Sequence, residues 1–207
     1  MATSEVSICN LALQKLGATR ITSLTEDSRN ARSCNACYEA LRDGELRAHS
    51  WKFAIKRVVL APSVTAPVFD YTYAFPLPSA CLRVLFPPRL DLDWVIEDHL
   101  GAPAILTNDG DALNVRYLAR VTDPTLYDTN FVIAVAMRMT AFMGEELTQS
   151  NTKEVAAMTA YNLAIKEARR MNAFETVPDV MPLDAWDAAR RRGSVQRNDL
   201  KGPWPGW

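Results

Sequence analysis

The sequence predicts an α+β chain: an antiparallel helical bundle made from N- and C-terminal helices, a small inserted antiparallel sheet, and an extended C-terminal tail. Three observations predict it. Apolar residues recur at helical spacing up to residue 48 and again from 130 to 172, the stretch between is cut by prolines into short alternating runs, and periodicity stops beyond 172. The expected helices are 4–16, 28–48, 130–147 and 152–172, with strands within about 51–120. That places a folded domain at 1–172 and a tail at 173–207.

Each element has a local reason. Ser4 or Thr3 can cap a first helix with Ile8, Leu11, Ala12 and Leu16 on one stripe, and Gly17 stands where a left-handed C-cap residue belongs. Asp27 or Ser28 can cap the second, with Ala31, Cys34, Tyr38 and Leu41 inward and Arg32, Glu39, Arg42, Asp43, Glu45 and Arg47 mostly outward. These two helices are expected to fold back on one another. Trp51, Phe53 and Ile55 followed by Val58, Val59 and Leu60 read as a strand entered directly from the helix, with Trp51 and Phe53 in the core.

Tyr71, Tyr73 and Phe75 alternate, and Leu82 to Phe86 reads as a strand closed by Pro87 and Pro88. Further strands are expected at Leu92 to Ile96, Ala104 to Thr107 and Leu113 to Leu118. The last two are expected to form a hairpin through Asn108, Asp109, Gly110 and Asp111, because Asp-Gly favours tight hairpin turns. Asp128 or Thr129 can cap the third helix, whose inward face is Phe131, Val135, Met139 and Phe142. Asn151 to Glu154 has capping-box spacing for the fourth, with Val155, Met158, Tyr161, Ile165 and Ala168 as its stripe.

Composition narrows the function. At 207 residues and 48% hydrophobic content the chain can bury a sizeable core. Lys+Arg 23 against Asp+Glu 24 leaves a net charge of -1, so no global field attracts nucleic acid or an anionic membrane. No apolar run reaches the roughly 18 residues of a membrane span. MATSEVSIC lacks a basic and then apolar leader, so synthesis and folding in the cytoplasm are expected. Cys9, Cys34, Cys37 and Cys81 are then expected as free thiols packed like small hydrophobes.

The residues that could carry chemistry do not gather. Cys34 and Cys37 share a helix face without a second ligand pair for zinc. Glu97, Asp98 and His99 form the densest polar trio, yet on a strand Asp98 points away from the other two, which describes a solvated strand end. Asn108, Asp109 and Asp111 begin like a calcium loop but lack its closing glutamate, and a turn is expected instead. No phosphate-loop, dinucleotide, serine-hydrolase or zinc-protease motif occurs, and His49 beside Ser50 does not make a triad. Catalytic, cofactor-binding and metal residues are therefore expected to be none.

Two groups suggest contact with other proteins. The helix around Phe131 carries apolar or small residues on both sides, including Val132, Ile133, Ala136 and Ala141, more than one helical partner needs. The tail carries Trp186, Trp204 and Trp207 with a basic cluster of Arg190, Arg191 and Arg192, suited to burial and ion pairing at an interface.

The order of NLALQKLGATRITSLTED, RDGELRAHSWKFAIKR, YTYAFPLPSACLRVL, LTNDGDALNVRYLARVTDP and DTNFVIAVAMRMTAFMGEELTQS resembles the tail tubular protein A family, over about residues 5–172. These are the head-to-tail adaptors, or gatekeepers, of short-tailed bacteriophages. The resemblance implies a structural virion protein at the portal vertex: a dodecameric ring of this chain, between the portal protein and a nozzle of the tail tubular protein B type. Double-stranded DNA would pass through its bore without specific binding, so a bore that is acidic or weakly charged is expected. It further implies helices in the ring wall, the sheet region toward the nozzle, and the C-terminal tail as a portal-docking arm. Two other classes compete: a tail-associated enzyme degrading polysaccharide through carboxylates such as Glu97, Asp109 or Asp111, and a non-viral helical scaffold protein.

Overall fold

A computed structural model describes residues 3–85, 93–148 and 151–175. Among them the chain is mixed α+β, with four α-helices and six strands in two antiparallel sheets. The helices and strands belong to one compact unit, Met1–Glu175. The tail expected from 173 onward lies outside the described residues from Thr176.

Helix α1 is Glu5–Leu16. Ser4 and Ser7 close a reciprocal box: Ser7 N donates to Ser4 Oγ at 3.1 Å and Ser4 N to Ser7 Oγ at 2.9 Å. Gly17, at φ 71°, ends the helix, and the N–H groups of Gly17 and Ala18 satisfy the carbonyls of Gln14 and Leu13. The connection to α2 is tied down by side chains. Asn10 exchanges two 2.8 Å bonds with the backbone of Ile21. Glu26 accepts from the N–H and hydroxyl of Thr22, and these bonds, with one from Ser28, hold its carboxyl down at about 2.

Helix α2 is Arg29–Ala48, capped by Ser28, whose Oγ accepts from Ala31 N at 3.1 Å. Helix α3 is Thr129–Thr148, with Asp128 Oδ1 accepting from the N–H groups of Asn130 and Phe131. Helix α4 is Asn151–Phe174. The packing differs from a fold-back of α1 on α2: both lie mainly against α3, which also carries α4, so α3 is the central helix. Small residues allow the approach. A Cβ on Gly144 would stand 3.6 Å from Glu154 Cα, and further along, Arg138 lies over the Tyr161 ring, so α3 and α4 pass in opposite directions.

Contact with three helices buries most of the apolar residues of α3 and revises several stripes. Met143 is buried where Phe142 was expected, and Phe142 is 65% exposed. On α4 the inward stripe is Ala157, Tyr161, Ile165 and Ala168, while Val155 and Met158 are exposed. Leu11 on α1 is likewise exposed, and Cys9 and Leu13 are buried instead. On α2, two charges expected outside are inside: Arg42 is 2% and Glu45 4% exposed. Each has partners that a hydrophobicity pattern cannot register. Arg42 Nε bonds Asp43 at 2.9 Å, and Asp43 also holds Arg120 at 2.7 Å. Glu45 Oε1 accepts from Tyr161 OH at 2.6 Å.

After α2 the chain makes a single 3₁₀ turn, Lys52–Ala54, before β1 begins, so the strand is not entered directly. Trp51 is fully buried and Phe53 packs against the core, as expected. Both rings meet Phe131, at 5.0 and 5.2 Å between centroids, and Tyr127 joins them at 5.2 Å. This aromatic knot fastens the end of α2 to the start of α3.

The strands are β1 Ile55–Leu60, β2 Tyr73–Pro76, β3 Cys81–Leu85, β4 Trp94–His99, β5 Ala102–Thr107 and β6 Leu113–Ala119. They form two sheets, ordered β1-β6-β3 and β2-β5-β4, rather than one. The expected β5–β6 hairpin is absent, because those strands belong to different sheets. Asn108 Oδ1 instead accepts from the backbone and hydroxyl of Thr72, and Gly110 lies so close to Tyr73 that a Cβ would stand 2.6 Å from the ring. The segment therefore carries the chain from the β2-β5-β4 sheet across to the β1-β6-β3 sheet. The tight hairpin is β4–β5, turned by Leu100 and Gly101, both at positive φ (57° and 82°). A leucine in that region gave no turn signal.

Alternation explains the layering. Leu60, Leu113 and Val115 from one sheet and Phe75 and Ile105 from the other form a second core, with Val58, Val84 and Trp94 packed on it. The first sheet's opposite face meets the helices through Leu118, Ile55 and Leu85.

Candidate assembly interface

The helical part leaves apolar surface on two sides of α3. On one side Leu11 and Ile133, 42% and 43% exposed, line a groove of about 450 Å³ with Gln14, Lys15, Ala136 and Met137. Lys15 and Met137 continue it toward Ala156, Ala157 and Ala160 of α4. Its lining is mostly apolar, with several alanines, and Lys15 is its one charged side chain among the described residues. Phe142 lies nine residues beyond Ile133; at about 100° per residue it falls about half a turn round the helix. Phe142 is thus exposed on the opposite side of α3, and α4 adds exposed Val155 and Leu163.

Of the α3 residues expected at an interface, Val132 and Ala136 are buried within this chain, and only Ile133 presents substantial surface. Most of the apolar excess on α3 is consumed by its three helical partners. Phe142 follows the inward spacing of Phe131, Val135 and Met139 yet is exposed, and its half-turn separation from Ile133 is the sequence signal that points outward. Trp186, Arg190, Arg191, Arg192, Trp204 and Trp207 lie outside the described residues.

The polar candidates are dispersed. Cys9, Cys34 and Cys37 are buried free thiols. Cys34 Sγ approaches Met143 Sδ at 3.9 Å, and burial pushes the Cys37 thiol up to about 12, an inert state rather than a reactive one. Glu97 and Asp98 are exposed on β4, where Asp98 accepts from Gly101 N and His99 Nε2 lies 3.0 Å from Thr65 O. Asp109 Oδ1 accepts from Asp111 N, a turn contact. Among the described residues no group of three or more His, Cys, Asp or Glu is placed to hold a metal ion. No helix of the described residues is long and apolar enough to cross a membrane.

His49 and Ser50 have separate partners. His49 Nε2 faces Asn172 Nδ2 at 3.0 Å, and Ser50 Oγ accepts from Arg83 Nη2 at 3.1 Å. Asn172 also accepts from Lys52 N and donates to Ser50 O, so it pins the α2 exit to the end of α4. Burial, then the nearby Arg169, Arg83 and Lys52, lower the His49 pKa and favour a neutral ring. This arrangement positions backbone and offers no activated nucleophile.

Charge is sorted between the sheets. The strands of the first carry Lys56, Arg57, Arg83 and Arg116 and no carboxylate, whereas those of the second carry Glu97 and Asp98 and no Lys or Arg. No family model matches this chain, and no curated protein matches it.

Proposed function

We propose that this protein is a structural, non-catalytic head-to-tail adaptor of a bacteriophage virion. Copies join through a heterologous interface into a ring, dodecameric by the resemblance, that links the portal to a tail nozzle and lets double-stranded DNA pass. In this reading the four helices act as an antiparallel bundle that forms the ring wall. Support comes from the ordered resemblance over about residues 5–172 and, above all, from one observation. Exposed apolar residues stand on opposite sides of the central helix, Ile133 beside its groove and Phe142 about half a turn away. A closed ring needs two different faces on each copy, and a single self-complementary patch would give only a dimer.

The test is the particle mass and symmetry of the purified protein, alone and mixed with its portal, by mass measurement and negative-stain imaging. A ring, or a collar that forms on the portal, is expected; monomers in both samples overturn the proposal. Ile133→Glu and Phe142→Glu should each abolish rings. Mixed together they should give paired copies and nothing larger, since each variant keeps one intact face.

A further inference from the structure

From the β1-β6-β3 sheet we infer a docking surface for an acidic, extended segment of a partner protein, added as a strand beside β1. The inference does not depend on the adaptor reading. Arg57 and Arg116 are register partners on neighbouring strands and are both exposed. Side chains directly opposite share one face of a sheet, and like charges in that position destabilise it. Among the described residues neither arginine belongs to an ion pair. In a chain whose charges sum to -1, a three-stranded sheet with four cations and no carboxylate is a marked segregation. The missing counter-charge is what a partner would supply.

Geometry selects the kind of partner. Arg57, Val58, Val59, Asn114, Val115 and Arg116 line a concave surface of about 480 Å³. Val59 is 65% exposed, two residues from Arg57 and therefore on the same face. β1 is at the edge of its sheet, and among the described residues no strand pairs with its outer side. An added strand would bond to the free N–H and C=O groups of β1. It would then place one carboxylate next to the guanidinium of Arg57 and within reach of Arg116, and, two residues along, an apolar side chain next to Val59. Guanidinium groups hold carboxylates through paired N–H donors, and Asn114 offers a further donor and acceptor. A nucleic-acid backbone would use the arginines but gain nothing from an exposed valine or an open strand edge.

The probe is a short fluorescent peptide that alternates Asp and Val with Thr between them, titrated into the full chain by anisotropy. Wild type should bind it. Arg57→Glu combined with Arg116→Glu, and the peptide with Asn replacing Asp, should each weaken binding by about tenfold or more. Because the Asn peptide leaves the protein untouched, it keeps the test valid even if the double variant folds poorly. Equal binding of the Asp and Asn peptides, or full retention of binding by a folded double variant, overturns the inference. Tighter binding of a duplex DNA probe at the same salt concentration, with displacement of the peptide, would assign the surface to nucleic acid and overturn it too.

Discussion

Removing one oxygen atom from the core, by Tyr161→Phe, is expected to destabilise the fold by about 2 kcal/mol. Glu45 is 4% exposed, and its Oε1 accepts from Tyr161 OH at 2.6 Å while Arg138 Nη1 stands 3.7 Å away. Among the described residues its Oε2 has no hydrogen-bond partner. Among the described residues the hydroxyl is therefore the one close donor to a buried carboxylate, and a hydrogen bond to a charged group contributes about 1.5–3 kcal/mol. The substitution isolates that bond: phenylalanine fills the same space and keeps the face over which Arg138 lies, 4.9 Å from the ring centroid. Arg138 is 40% exposed, so solvent screening limits how far it can compensate. Urea unfolding should show a lower midpoint at unchanged m-value, and the melting temperature should fall by roughly 4–8 °C for a unit of this size. Glu45→Gln in the same background should lessen the loss, because it removes the charge left without a close donor. A Tyr161→Phe variant within about 0.5 kcal/mol of wild type would refute this account of the network.

Other expectations follow from single sites. Gly17→Ala should cost about 1 kcal/mol in urea unfolding, since φ 71° strains a residue with a Cβ although nothing lies within 4 Å of where it would stand. His49 should make stability pH-dependent. Its folded pKa is lowered by burial and then by Arg169, Arg83 and Lys52, so the unfolded chain binds the proton more readily. The contribution is full above about 6.5, the usual histidine value, and is lost as pH falls from there through the lowered folded pKa. Urea midpoints measured downward from pH 8 should decline less for His49→Gln; parallel curves would remove His49 as the source. Ile133→Glu and Phe142→Glu should leave the unfolding midpoint of the single chain nearly unchanged while blocking rings, because both positions are exposed.

Local chemistry was legible wherever a residue acts on its own neighbours. Ser4, Gly17 and Ser28 delimit α1 and α2 through bonds spanning a few residues, and Asp128 opens α3 in the same way. That Trp51 is buried and Phe53 packs against the core was likewise evident from size and setting. Of the surface candidates, Ile133 is exposed, Phe142 is exposed against its expected inward place, and only the structure brings Arg57 and Arg116 together. A stripe defines a helix face only when one partner covers it, and α3 has three. The two arginines are 59 positions apart, so only strand register brings them together.

By itself the sequence determined a mixed α+β chain, the positions of its four helices and a strand-rich stretch between the second and the third. Helical period, caps and prolines act within a turn or two of the backbone, and these local energies do not depend on what packs above them. Tertiary structure alone decided which strands pair, why Asn108 to Asp111 crosses between sheets instead of closing a hairpin, and why Arg42 and Glu45 lie inside. Each depends on a partner distant in sequence: Thr72 and Tyr73 for the crossing, Asp43 bridging to Arg120 for Arg42, Tyr161 for Glu45. A buried charge is tolerable only when such a partner meets it, and no period or spacing along the chain records that meeting.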